Sequence, residues 1–294
     1  MQSLSTLQLR SDVLRLIRTF FDGRGYLEVQ TPVSVETPTL EDYIDAIPAD
    51  DRWLRTSPEL HMKRLVQAGH PRLFQIGPCF RAGEYGRRHR PEFTMLEWYC
   101  ANAGYRDILQ ETQGLLQAVA AGLGRPGPLP YRNTTIDLGT CEIRTVRETF
   151  AKFAGADAAA LNTTEFDRLL VETVEPRLGR DCPFYMIDYP AAMAALARTA
   201  PADPSIAERW ELYVAGLELA NAYSELVDPV EQRRRFEACA DRRRRDGRQL
   251  YPIDENFLAA LGAGMPPTAG CALGIDRLLM VFADTDDIAD VIFE

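Results

Sequence analysis

Two arginines sit where phosphate chemistry is easily built. Arg81 follows the run RLFQIGPCF at the mouth of a polar loop, and Arg277 lies in GCALGIDRLLM, where a glycine-containing strand passes into an apolar helix. Both stand near glycines, Gly83 and Gly274, which let a ligand approach the backbone. A guanidinium is a planar, permanent fork that matches phosphate oxygens. Glu211 and Glu218 lie seven positions apart. On one straight strand they would face opposite sides, but a turn between them sets them side by side across a hairpin. Two carboxylates plus phosphate oxygens make a normal magnesium site. Any one of these residues alone reads as a surface ion pair; their combination in one chain points to a nucleotide.

The elements that must position them follow from the apolar pattern. Residues 11–22 place Val13, Leu14, Ile17, Phe20 and Phe21 at helical spacing behind a possible cap at Ser11, and YLEVQTP reads as a short strand stopped by Pro32. Residues 72–80 and 92–101 read as strands joined by a loop too long for a tight hairpin. A helix over 104–122 leads to the turn-rich GRPGPLP, and 131–180 reads as a small helical insertion with helices near 145–154 and 163–176. PFYMIDYP is a strand, 208–226 a strand pair turning at Ala215–Gly216, and 229–246 a charged helix. The order is no regular βαβα alternation, so the fold class is α+β: a mixed, mostly antiparallel sheet flanked by helices. Neither GxGxxG nor GxxxxGK[ST] occurs, so neither common nucleotide cradle is present.

The 294 residues are 46% hydrophobic and 26% charged, an ordinary globular profile. No apolar run is long enough to predict a membrane span, and the N-terminus lacks a signal-peptide layout. Six cysteines without a CxxC pair, and three histidines without a cluster, fit reduced thiols in a cytoplasmic protein rather than a zinc site. His61 and His70 read as helix-surface or satisfied residues. The net charge of −10 argues against a polyanion such as tRNA as the main partner. Lys63 and Lys152 are the sole lysines, a bias that reads as compositional. The runs Arg233–Arg235 and Arg242–Arg245 read as a solvated helix face paired with Glu231, Glu237 and Asp246, or else as a dock for an acidic surface.

The segment FRAGE…RRHRPEFTMLEWY resembles motif 2 of the class II aminoacyl-tRNA synthetases of the lysine/aspartate/asparagine subclass. GCALGIDRLLM resembles motif 3, and FFDGRGYLEVQTPVS resembles motif 1. TSPELHMKRLVQAG and GLELANAYSELVDPVEQRRRFE resemble blocks of the lysyl-tRNA synthetases. The resemblance implies a class II synthetase catalytic fold, ATP and Mg2+ as cofactors, and a homodimer through the 11–35 region. It also implies roles. Arg81 would hold the α-phosphate, His89 the β- and γ-phosphates, and Arg277 the γ-phosphate side of a bent ATP. Phe93 would stack on adenine, with Gly83, Glu84, Arg90, Leu219 and Gly274 completing the nucleotide site. Glu211 and Glu218 would hold magnesium. Glu59 would receive the substrate amino group, with Ser57 and Pro58 also in the substrate site, and Asn221 would hydrogen-bond its carboxylate. Glu97, Tyr99 and Glu225 would surround the side-chain ammonium.

The segments also resemble the truncated paralogues that activate lysine, preferably (R)-β-lysine, and ligate it to a lysine ε-amino group of elongation factor P. On that resemblance residues 1–294 form a single catalytic domain, with a helical insertion over 124–180 and no N-terminal OB-fold anticodon-binding domain. Ala272 stands where lysyl-tRNA synthetases carry tandem glycines, so its methyl is expected to disfavour α-lysine against β-lysine. Gly83 takes the place of the usual motif 2 acid and Arg90 that of an asparagine, which puts adenine-side contacts at issue. Two alternatives stay open: a minimal ligase acting on tRNA or a small molecule, and a regulator that keeps the fold without the chemistry.

Overall fold

The helix that opens the chain is longer than its apolar spacing alone predicts. The computed structural model describes residues 4–132 and 134–293. In it α1 spans Leu4–Asp22, so Ser11 lies inside the helix and is no cap. Its buried stripe of Val13, Ile17, Phe20 and Phe21 packs on the sheet, with Phe21 stacked on Phe74 at 4.9 Å. The motif 1 strand shrinks to β1 (Leu27–Glu28), because it pairs in parallel with β2 (Arg72–Phe80) only at Leu73 and Phe74.

The other strands of the main sheet are β3 (Glu92–Ala101), β4 (Glu142–Thr145), β5 (Phe184–Pro190), β6 (Asp203–Val214), β7 (Leu217–Ser224) and β8 (Thr268–Gly274). Their spatial order is β1-β2-β3-β8-β7-β6-β5-β4, with Thr199–Ala200 added beside β6. Only the two outer pairs, β1 with β2 and β4 with β5, are parallel. The mixed, mostly antiparallel sheet expected of an α+β chain is what forms.

One face of the sheet is apolar core and the other carries the cavity. β3 shows why: Leu96, Trp98 and Cys100 turn toward α1, α3 (Tyr105–Gly122) and α8 (Ile275–Phe282), while Phe93, Met95, Glu97 and Tyr99 line the cavity. On the cavity side stand α2 (Glu59–Gln67), α6 (Pro229–Arg245) and α7 (Glu255–Gly262).

The segment 131–180 is less helical than its composition predicts. It carries α4 (Val146–Ala154) and α5 (Thr163–Leu169), but the second helix loosens into a wider turn at Leu170–Val174 and a tight one at Glu175–Arg177. It also supplies β4, which extends the main sheet, because Glu142–Thr145 pairs with Phe184–Ile187. Its core of Phe150, Phe166, Val174 and Leu178 packs on Phe184, Met186 and Tyr213 of the sheet itself. Helix α6 also differs from expectation. Arg243 is wholly buried, donating to the carbonyls of Glu41, Ile44 and Gln249 and pairing with Asp45. Arg242 pairs with Asp42, and Arg233 with Glu255. Of the expected partners Glu231 is engaged, by Arg234 and Arg235. The arginine run is in part a clamp on the loop 41–45, because a buried guanidinium satisfies several carbonyls at once.

Candidate active site

The hairpin β6–β7 places the two acids first singled out. Ala215 and Gly216 both have positive φ, 54° and 73°, as a two-residue turn requires. The pairing runs Tyr213 with Glu218, then Leu212 with Ala220, then Glu211 with Asn221, so Leu219 is an extra residue in β7. That bulge flips the alternation once. Arg209, Glu211, Glu218, Asn221 and Tyr223 consequently all line one cavity of about 320 Å³.

The cavity's phosphate-like end is basic. Arg81 leaves β2, its guanidinium 5.1 Å from the Phe93 ring and 3.9 Å from Glu84. Its Nε is buried with no hydrogen-bond partner. Arg277 donates to the Glu218 carbonyl at 2.7 Å and lies 2.7 Å from His89 Nε2. Burial and the neighbouring Arg277 charge hold the His89 imidazole below its ordinary pKa, so the ring is neutral. Asp276 fixes the start of α8: it accepts from the Thr94 amide at 2.7 Å and pairs with Arg10 of α1. Arg90 folds onto its own loop, donating to the Gly86 carbonyl at 2.6 Å.

Glu211 accepts from Arg209 at 2.7 Å on one oxygen and from Tyr189 and Tyr213 on the other. Glu218 meets Arg277 at 3.4 Å, and burial followed by the Glu211 charge raises its carboxyl pKa. Nearby Glu175 is pushed to about 7, by burial first and then by these two acids. Among the described residues no three or more His, Cys, Asp or Glu side chains form a metal cage. A pair of acids still suits magnesium, which takes one or two carboxylates and completes its shell with substrate phosphates. Two neighbouring carboxylates beside an arginine donor without a hydrogen-bond partner fit a magnesium-bound polyphosphate, with Glu218 the freer of the two acids.

The other end is an acidic box. Glu97, 1% exposed, accepts from Ser57 at 2.7 Å and from Tyr99 at 2.8 Å. Glu59 accepts from Tyr223 at 2.9 Å and from Lys63 at 2.5 Å. Glu225 is 1% exposed, pairs with Lys63 through Oε2, and has no hydrogen-bond donor on Oε1. Burial pushes Glu97 to about 7 and Glu225 to about 8, Glu59 adding to both. Between the two ends Asn221 accepts from Arg209 at 3.1 Å, which leaves its amide NH2 as a donor for a carboxylate. Ala272 pairs with Glu97 on one side and Asn221 on the other.

Ser57, Glu59, Arg81, Glu84, His89, Arg90, Phe93, Glu97, Tyr99, Glu211, Glu218, Leu219, Asn221, Glu225, Ala272, Gly274 and Arg277 all border the one cavity. Two expected residues stand back from its wall: Pro58 precedes α2 at its N-cap, and Gly83 holds a positive-φ turn of 78°. The sequence reading passed over Glu41, Lys63, Arg209, Tyr223 and Gly270. Lys63 had a legible signal, four residues after Glu59 on a helix. Gly270 had none: a methyl there would overlap the Tyr99 ring and come within 2.9 Å of a Glu225 oxygen.

Comparison with known proteins agrees with this geometry. The family model of class II tRNA synthetases (D, K and N) matches residues 1–293. An elongation factor P–(R)-β-lysine ligase of Haemophilus influenzae is 37% identical over 98% of this chain and 94% of its own length. One of Vibrio cholerae is 38% identical at the same coverage. A lysine–tRNA ligase of Dehalococcoides mccartyi is 37% identical over 98% of this chain and 63% of its own.

Proposed function

Because the chain belongs to the class II tRNA synthetases of the D, K and N group, we propose that it is an ATP-dependent, AMP-forming ligase that joins lysine, preferably (R)-β-lysine, to elongation factor P. A carboxylate oxygen of the amino acid attacks the α-phosphorus of ATP, the bond to the bridging oxygen breaks, and pyrophosphate leaves. The neutral ε-amine of a lysine on elongation factor P then attacks the activated carbonyl, and AMP departs. In-line displacement needs position and charge compensation rather than a protein nucleophile.

The observation that carries this reading is the polarity of one cavity. An arginine donor without a hydrogen-bond partner, Arg81 Nε, lies at one end, and the buried carboxylates Glu97 and Glu225 lie at the other, with Lys63 the cation beside Glu225. An anion belongs at the first and an ammonium at the second. Arg81 holds the α-phosphate and meets the charge developing at phosphorus. Arg277 and His89 take the outer phosphates, and Phe93 stacks on adenine with Glu84 and Arg90 near its edge. Glu211 and Glu218 would hold magnesium, which would neutralise charge on the phosphates. Asn221 orients the carboxylate, Glu59 the adjacent amino group, and Glu97, Tyr99 and Glu225 the distal ammonium. A neutral isostere would leave both distal acids unpaired, at a cost of several kcal/mol.

A homodimer through the 11–35 region and a cytoplasmic site of action belong to the same reading, and the exposed Leu27 beside α1 supports the first. The lysine–tRNA ligase relatives favour a second reading, lysylation of tRNA; the net charge of −10 weighs against it. Exchange of labelled pyrophosphate into ATP tests the activation step. It should depend on α- or β-lysine, and background exchange with every lysine isomer contradicts the proposal.

A further inference from the structure

Lys63 is one of only two lysines in a chain whose 33 basic residues are otherwise arginine. It is also one of the most deeply buried side chains, 1% exposed. Its Nζ lies 2.5 Å from a Glu59 oxygen and against Glu225, and the Tyr223, Tyr99 and Phe257 rings approach it at 5.5, 6.0 and 6.0 Å. The enclosure suits a compact ammonium on a thin stem better than a guanidinium fork. The contact with Glu225 is made at Oε2, so Oε1, which has no hydrogen-bond partner, keeps its acceptor capacity for a ligand.

We propose that Lys63 is a positioning residue of the amine pocket, lying between Glu59 and Glu225 so that its positive charge offsets theirs and holds the two carboxylates in place for the substrate. With a diamino acid bound and Glu59, Glu97 and Glu225 ionised, the three acids would carry three negative charges and Lys63 one positive, which leaves two to meet the two ammonium groups. Without Lys63 the Glu225 carboxyl would be harder still to ionise, and its hold on the substrate ammonium would weaken. The charged and titratable groups facing Lys63 are Glu59 on its own helix, Glu97 and Tyr99 from β3, and Tyr223 and Glu225 from β7 and its exit; α7 turns the Phe257 ring to it. Burial would lower the Lys63 pKa, but Glu225 and Glu59 outweigh it and the shift is upward. Lys63 in turn is the main influence holding the Glu225 carboxyl down against its burial.

The inference rests on the diamino-acid reading, and the test separates the two. In Lys63→Met the KM for lysine should rise at least about tenfold near neutral pH, the equivalent of one further unit of carboxyl shift. The loss should shrink as pH rises, while the KM for ATP stays near wild type. A KM–pH profile for lysine that superimposes on wild type overturns the role of Lys63 and leaves the activation reading standing. A wild type that activates no lysine isomer removes the reading and the inference with it. If Lys63→Met does not fold, wild-type protein decides. Nitrogen-15 lysine labelling yields two side-chain amine resonances, and the buried one should remain an ammonium well into alkaline pH and move when unlabelled lysine binds. A neutral amine at neutral pH, or no response to lysine, overturns the proposal.

Discussion

Ala272→Gly tests how finely the pocket floor distinguishes lysine isomers. Ala272 is half-buried at the middle of β8, flanked by Glu97 and Asn221, so its methyl lies between the acid for the distal ammonium and the amide for the carboxylate. Moving an amino group from the α to the β carbon shifts its position along this floor by one bond. Removing the methyl changes which amino-group placement the floor accommodates. A change of one methylene in a pocket alters discrimination by about 1–3 kcal/mol, or roughly 10–200-fold. The lower end applies here, because a half-buried methyl is only partly in contact with a ligand; about tenfold is expected. A glycine within a strand costs about 0.5–1 kcal/mol, small against a usual stability of about 5–15 kcal/mol, so the variant should fold. Pyrophosphate exchange with α-lysine and with (R)-β-lysine gives the ratio of kcat/KM values, and the ratio should move about tenfold toward α-lysine. An unchanged ratio in a folded variant refutes the reasoning.

Further substitutions probe other parts of the site. Gly270→Ala should push Tyr99 and Glu225 out of place and raise the KM for lysine far more than the KM for ATP, because the new methyl would meet both side chains; equal effects on both would contradict this. Arg243→Met should lower stability by about 3 kcal/mol in chemical denaturation, since the carbonyls of Glu41 and Ile44 lose a buried donor; a shift under about 0.5 kcal/mol would make the clamp on loop 41–45 idle. Glu97 and Glu225 have folded pKa values of about 7 and about 8, raised by burial. The folded, substrate-free protein therefore holds protons that the unfolded chain has released. Its melting temperature should fall from about pH 5 to about pH 8 through these groups, and lysine, which needs them ionised, should bind more tightly as pH rises through the same window. A melting temperature and affinity that both stay flat would remove these acids as titrating groups.

Strands β2 and β3 and the turn at Ala215–Gly216 were legible because apolar runs and a small-residue pair carry their own physics. The cavity's two ends were implied by the resemblance to the class II synthetases. Other features have no local signature. The bulge at Leu219 comes from fitting β7 between two partners, and it decides that Glu218 faces the cavity. β4 is a short polar stretch whose strand state exists through its pairing with β5. The burial of Arg243 depends on a loop some 200 positions away in the chain. Lys63, set aside as compositional bias, had a local signal in Glu59 four positions before it, but its second partner, Glu225, comes from a distant strand exit.

The central claim is that this cavity activates lysine and hands it to a protein. Mass spectrometry of elongation factor P after incubation with the enzyme, ATP and each lysine isomer tests it most directly. A gain of one lysyl group on a single lysine side chain, greatest with (R)-β-lysine, is the predicted result. An unchanged mass with every isomer, while tRNA in a parallel incubation becomes lysylated, would contradict it.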